Sequence, residues 1–431
     1  MSPSITEKVQ ALIPSLTAMR RDLHSFPELG WLEFRTASIA AKRMQELGFT
    51  LVMGEKAVDK RTMKHVPPSE AIAVAQQKAI AAGADPDIVA AMNGGCTGFW
   101  ADLVCGPGPC FALRVDIDGT EMAESASPAH RPAREGFASR CPGLMHACGH
   151  DAHVAVGLAV AEILAGMKEN LRGTFRLIFE PGEEESLGAA PMVAAGCLEG
   201  VSSIAGLHVG FQAAKKGDIV CGTQNFLAIT GLDITYTGKS AHAGSAPHEG
   251  KNALLAACAA VSNILAIPRH GDGETRVNVG KIIAGQGRNV IPPNALLVME
   301  ARGHTTELAS YVAEEAKRIC HAAGAMWDCQ CAITVTEETP GGQSSQSMAR
   351  RVARLAATMP VFDNIIETSD FGASEDYTHM MSTVQKNGGE GVYIQVGVDR
   401  TAGHHNEHFD FDEEDLAPAV EILVRLAMDY L

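Results

Sequence analysis

Apolar and polar positions along the 431-residue chain follow more than one period. Residues 5–24 and 34–48 repeat apolar side chains at the helical interval, and Gly48 supplies a stop signal. FALRVDID (111–118) alternates and then turns acidic, as a strand running into a loop does. TFRLIFE (174–180), SIAGLHV (203–209) and GVYIQVGV (391–398) read as further strands, with Ala- and Leu-rich helical stretches between them, notably 152–167 and 186–196. This alternation predicts an α/β domain with a mostly parallel sheet and helices on both faces. Residues 55–93, rich in Ala, Lys, Asp and Pro, predict a helical excursion.

The middle of the chain has another rhythm. NFLAITGLDITYTG (225–238), TRVNVGKIIAG (275–285), NALLVMEARG (294–303) and DCQCAITVTEE (328–338) read as strands, while 252–267 and 307–324 read as helices. The order β-α-β-β-α-β predicts a split βαβ unit of α+β type on an antiparallel sheet. The expected organisation is therefore a discontinuous first domain, 1–223 with 339–431, interrupted by an inserted domain at 224–338.

Composition narrows the function. The chain is 46% hydrophobic, which provides for a core, and its 35 basic against 51 acidic residues give a net charge of −16. Such a surface repels phosphate backbones and anionic membranes, so nucleic acid and membrane surfaces are not expected partners. No apolar run approaches the roughly 20 residues of a membrane span. The 11 cysteines are odd in number and lack a framework spacing, which reads as reduced thiols. The N-terminal stretch patterns as an amphipathic helix rather than an export signal. A cytoplasmic protein is the expectation.

Chemistry concentrates in MHACGHDAH (145–153), with three histidines, a cysteine and an aspartate in nine residues. Thiolate and imidazole are common ligands of zinc and related divalent metals. Cys148 and His150 are two apart, so an extended loop projects both to one side, with His146 joining them and Asp151 placed to hold a ligating ring. EPGEEES (180–186) sets Glu183 and Glu184 just past a strand, where α/β sheets form their sites. His208 ends another strand in GLHVG, and AGHHNEHFDFDEED (402–415) supplies His404, His405 and His408 after a fourth. Taken singly, each has a plain structural reading: histidines at a helix start, an acidic first helical turn, a satisfied strand-end histidine, a solvated loop. Together they place Cys, His and Glu at four strand ends of one sheet. Five ligands exceed a tetrahedral site and suit two metals that activate a shared water, with a spare carboxylate to take its proton.

In this order, MHACGHDAH, the P-x-E-E of EPGEEE, GLHVG and HHNE-HFDFDE resemble the M20 metallopeptidase family, in its amidohydrolase branch. HRPAREGFASRCPGLMHACGHD (130–151), TRVNVG (275–280) and GQGRNVIP (285–292) are similar to the subgroup of p-aminobenzoyl-glutamate hydrolase A-subunit type. The resemblance implies a metal-dependent exopeptidase-like catalytic domain and a ferredoxin-like lid that mediates dimerisation. It implies that Cys148, His150, Glu184, His208 and His405 bind two divalent metals, Mn or Zn, with Glu183 as general base. It further implies that His242 of GKSAHAGSAP (238–247) stabilises an oxyanion in a partner subunit's site. Arg288 and Asn289 look placed to grip a substrate carboxylate; a surface turn is the other reading of that pair.

Two departures stand out: E-P-G-E-E-E where the family commonly has Q-P-A-E-E, which bears on metal affinity and the Glu183 base, and DIDGTEM (116–122) where it has D-M-D-A-L-P, whose Gly119 and Thr120 bear on substrate. Glu180 is expected to add negative charge near the site. The implied activity is amide hydrolysis of an N-aroyl or N-acyl amino acid by a homodimer or larger homo-oligomer, with a sister subunit possible. Two alternatives stand beside it: hydrolytic deamination of a small aromatic amine, and a non-catalytic or regulatory subunit. Against the last, every expected ligand and the base are present.

Overall fold

The structure, a computed structural model, describes residues 3–431. Its strands are β1 (Thr50–Met53), β2 (Phe99–Val104), β3 (Cys110–Asp116), β4 (Thr174–Glu180), β5 (Val201–Val209), β6 (Asp218–Val220), β7 (Thr223–Gln224), β8 (Ala228–Thr237), β9 (Thr275–Ala284), β10 (Asn294–Gly303), β11 (Gln330–Thr339), β12 (Asn364–Ile366), β13 (Ser369–Asp370) and β14 (Glu390–Val396). Its helices are α1 (Ile5–His24), α2 (Phe34–Glu46), α3 (Ser69–Ala81), α4 (Pro86–Ala91), α5 (Arg131–Glu135), α6 (His150–Ala165), α7 (Ala189–Ala194), α8 (Ala253–Ile264), α9 (Thr306–Met326), α10 (Gln346–Ala356), α11 (Tyr377–Lys386) and α12 (Ala417–Tyr430).

The chain divides into two compact units. The first runs to Gln224 and resumes over Gln343–Phe371 and Asp376–Leu431. Its eight-stranded sheet has the order β1-β2-β4-β3-β5-β14-β6-β12. The expected mostly parallel sheet is corrected here: the sheet is mixed. Strands β4, β3, β5 and β14 run parallel, but β2 lies antiparallel to β4, β1 to β2, and β6 to β14. The cause is connection length. Parallel neighbours need a crossover of a dozen or more residues. The links 105–109 between β2 and β3 and 210–217 between β5 and β6 are too short to carry the chain back along the sheet, so β2 runs opposite to β3 and β6 opposite to β5.

The four parallel strands are apolar along their length because both faces are covered. Phe175, Leu177 and Phe179 of β4 are fully buried, each contributing about 1.5–3 kcal/mol by leaving water. α6 is buried over most of its length in the same core as α1, α2 and α12. α1 starts on a capping box, Ser4 with Glu7, and keeps Arg21 and His24 in its last turn.

The second unit is Asn225–Gly342 with the short stretch Gly372–Glu375. Its elements run β8-α8-β9-β10-α9-β11, and its four strands pair antiparallel in the order β11-β8-β10-β9. One face of that sheet buries Leu232, Ile234, Leu297 and Met299 with the apolar sides of α8 and α9. Strand β9 is an edge, and it leaves Ile282 and Ile283 exposed. Among the described residues, no helix is long and apolar enough to cross a membrane.

Candidate metal centre

The ends of the parallel strands carry the polar residues. Strand β3 runs through Asp116 to Asp118. After β4, Pro181 and Gly182 turn the chain into a single 3-10 turn, Glu183–Glu185. His208 closes β5, and the loop after β14 brings in His405. Cys148 precedes α6, whose first residue is His150. Between them Gly149 sits at φ 93°, and a Cβ there would come within 2.8 Å of Val209, so only glycine seats both ligand-type side chains.

The structure brings the six expected residues of this unit together. Cys148 Sγ is 3.5 Å from His208 Nε2. His405 Nε2 is 3.0 Å from Glu184 Oε2. His150 Nε2 lies 3.7 Å from Glu183 Oε2 and 3.8 Å from Glu184 Oε1. Ligand-type atoms of Cys148, His150 and His208 lie within 4.8 Å of one another, as do those of Cys148, Glu184 and His405. Two overlapping triads suit a pair of ions. Moreover, His150 Nε2 and Glu184 Oε1 are buried without a hydrogen-bond partner. Buried polar atoms seldom go unsatisfied, and their 3.8 Å separation is too long for a bond between them. Cation binding would satisfy both, so the donor set fits divalent metals.

His150 and His208 are each held through Nδ1, which turns Nε2 into the cluster. His150 Nδ1 is 3.1 Å from Asp118 Oδ1, and Asp118 Oδ2 accepts the Glu184 backbone N–H. One carboxylate thus orients two candidate ligand residues, a support that would suit a metal-binding histidine. Burial opposes charge on His150, yet Asp116 and Asp118 hold its pKa well above the ordinary value. His208 turns Nδ1 to the Val209 carbonyl at 2.9 Å, and burial followed by His153 keeps it neutral. His153 is different. Its Nε2 accepts the Val209 N–H and its Nδ1 meets Asp116 at 2.6 Å, so both nitrogens are used. Burial and then Glu184 push the Cys148 thiol well up. The thiolate is the ligand form, so metal binding must displace that proton and will weaken in acid.

Three local expectations are corrected. Asp151 does not hold a ligand: its Oδ2 takes Arg20 Nε at 2.9 Å and His24 Nδ1 at 2.8 Å. One residue further along α6 it points about 100° away from His150. His146 does not join the ligands; it is buried with neither ring nitrogen partnered, and burial pulls its pKa down to about 4. Glu180 does not load the site with free charge. It binds Arg114 Nε at 2.7 Å, and Arg114 also pairs with Asp116 and Asp376.

Two further supports act here: Glu33, which had no signal in the sequence, and Thr120, in the departing 116–122 segment. Glu33 is fully buried and accepts the Gly182 N–H at 2.8 Å and the Thr97 hydroxyl at 2.6 Å, fixing the turn that sets Glu183 and Glu184. Thr120 clasps Met145 through backbone and side chain, tying 116–122 to the start of MHACGH. Thr120 and Glu121 line a cavity of about 240 Å³ with Leu29, Asp118, Glu184 and His405.

His404 is occupied elsewhere, with Nε2 on the Val209 carbonyl and its ring stacked on Phe211. In the second unit, His242, Arg288 and Asn289 are exposed. Two loops pair there: the Ala243 N–H donates to the Asn289 carbonyl, and His242 bridges Val290. His242 Nδ1 accepts from the Gly244 and Ser245 N–H groups, which leaves Nε2–H as its outward donor.

Asp118→Asn is expected to weaken metal binding about 10–100-fold, with the fold intact. A chelator-competition titration measures this, and unchanged affinity would remove Asp118 from the site.

A family model described as Peptidase family M20/M25/M40 matches residues 112–429. The chain is 42% identical over 430 residues to the indole-3-acetyl-aspartic acid hydrolase of Enterobacter agglomerans, covering 99% of this chain and 98% of that one. It is 39% identical over 432 residues to the A-subunit of p-aminobenzoyl-glutamate hydrolase from Escherichia coli (strain K12), covering 99% and 98%. The crystal structure of an aminobenzoyl-glutamate utilization protein from Klebsiella pneumoniae superposes with a TM-score of 0.83 at 34% identity, over 99% of this chain and 98% of that one.

Proposed function

The chain belongs to peptidase family M20/M25/M40, and from that premise we propose that it is a metal-dependent amidohydrolase of N-aroyl or N-acyl amino acids. The observation that carries this reading is Glu183 standing beside the Cys148–His150–Glu184–His208–His405 cluster. The two curated relatives are named for substrates in which an aryl acyl group is joined to an acidic amino acid. That chemistry is the substrate class we assign here.

Cys148, His150, Glu184, His208 and His405 hold two divalent ions, Mn or Zn. When bound, the pair polarises the amide carbonyl and lowers the pKa of water. Glu183 takes the proton of the attacking water and returns it to the leaving amine, as a carboxylate within reach of both can. His242 donates its Nε2–H to the carbonyl oxygen as that oxygen gains charge. We place this histidine in the active site of a partner subunit, with the inserted 224–338 domain as a ferredoxin-like lid and dimerisation element. The exposed β9 edge supports a homodimer, and a sister subunit is compatible with the same surfaces. Arg288, with Asn289, binds the substrate's carboxylate through its planar fork. A cytoplasmic location accords with 11 cysteines in no disulfide.

The test is product identification. Metal-loaded protein is incubated with aroyl-amino acids, p-aminobenzoyl-glutamate among them, and with electron-poor anilines. Release of a free amino acid, lost on adding chelator, is expected. Ammonia from an aniline would overturn the reading in favour of deamination. In the same assay His242→Ala is expected to lose turnover with metal retained, and mixing it with Glu183→Ala protein restores activity if the site is shared. No rescue between subunits shown to exchange would remove the cross-subunit role.

A further inference from the structure

A second cavity, of about 580 Å³, lies in the first unit between the segment 26–35, helix α3 and the segment 140–144. It is larger than the cavity beside Glu184 and His405, and none of the metal-centre residues lines it. Ala71, Val74, Ala75, Lys78 and Ala79 form one stripe of α3 along its wall. Their spacing of three and four residues puts them on a single helix face. The stripe runs from Ala79, packed in the core at the cavity's base, out to Val74, which stays 49% exposed. Phe26, Leu29, Leu32 and Leu144 complete the apolar lining.

The polar groups at this cavity are mainly cationic. Lys78 and Arg140 line it, exposed and with no ion pair among the described residues. Arg140 lies over the Phe26 ring at 5.3 Å, and Arg35 lies over the same ring at 4.0 Å. Arg35 is 6% exposed and uses Nε on the Ala82 carbonyl and Nη2 on Asp22, while its Nη1 has no hydrogen-bond partner. The one acid on the lining, Glu28, accepts the Arg35 and Thr36 N–H groups at the start of α2. Desolvation raises its pKa to about 7, which reduces its opposition to an anion.

We propose that this cavity is a second, non-catalytic ligand site that takes a small organic carboxylate with an apolar body. The ring or chain lies on the α3 stripe and Leu144. The carboxylate is held at the rim by Arg140 and Lys78, with Arg35 adding positive charge from beneath Phe26. Apolar walls with a few convergent polar groups are the usual form of such sites, and the volume lies in their range. The Glu28 carbonyl accepts the Gly119 N–H at 2.7 Å, and Leu29 lines both cavities.

Benzoate and hexanoate serve as the aryl and alkyl probes, titrated calorimetrically into metal-loaded full-length protein. Val74→Trp fills the cavity from an exposed helix position, and Arg140→Glu reverses a charge on an exposed loop, so neither depends on refolding a core. Benzoate is expected to bind the wild type and to bind both variants about tenfold or more weakly, as loss of a charge-assisted contact implies. Hexanoate with the same sensitivity to both variants would equally support the site and extend it to alkyl acids. Isotherms for both probes that are unchanged in Val74→Trp and Arg140→Glu, or no binding in the wild type, would overturn the proposal. Because the readout is heat of binding, it stands or falls separately from the hydrolase reading.

Discussion

Glu183→Gln is expected to lower turnover by about 10²–10⁴-fold while both metal ions stay bound. Glutamine keeps the shape of the side chain and loses only the ability to take a proton. Its neighbour gives the contrast. Glu184 reaches His405 with one oxygen at 3.0 Å and leaves the other buried and unpartnered, while its own N–H is held by Asp118. Those attachments fit the ligand role proposed for Glu184. Glu183 shares the turn and approaches His150 of that set, at 3.7 Å. Glu184→Gln is therefore expected to lose metal, and Glu183→Gln to lose rate alone. Metal content by mass spectrometry, read beside turnover, separates them. Metal loss in Glu183→Gln would make Glu183 a ligand and leave the base unassigned.

That pair was legible in the sequence because it lies in one short motif just past an apolar strand. The supports were not, because each joins distant positions. Asp118 and His150 are 32 residues apart, and Glu33 and Gly182 are 149 apart. Sequence proximity instead favoured Asp151, which the helix turns toward Arg20 and His24. The sheet shows the same division. Strands β3, β4, β5 and β14 are long apolar runs and announce themselves. Strand β2 does not, since Asp102 interrupts it, and the compensating Arg176 lies opposite on β4 at 2.7 Å. Strands β6 and β12 span three residues each, too few to show a period. The parallel centre was therefore readable and the antiparallel margins were not.

Arg114→Met is expected to destabilise the first unit by about 3–5 kcal/mol, the cost of leaving buried charge unpaired. Arg114 is fully buried with Asp116, Glu180 and Asp376 around it, at 2.7, 2.7 and 3.3 Å. Burial, and then Glu180, push Asp376 well above the carboxylate range. Asp116 stays ionised well below that range because, against burial, His150, His153 and Arg114 favour its charge. Methionine would fill much of the space and strand the anions. This network also neutralises much of the charge that Glu180 brings. Arg114→Met/Glu180→Gln is thus expected to recover part of the loss, because one unpaired acid has become neutral. Denaturant unfolding of the two variants tests the account. Arg114→Met within about 1 kcal/mol of wild type would mean the cluster is neutralised by added protons rather than by the guanidinium.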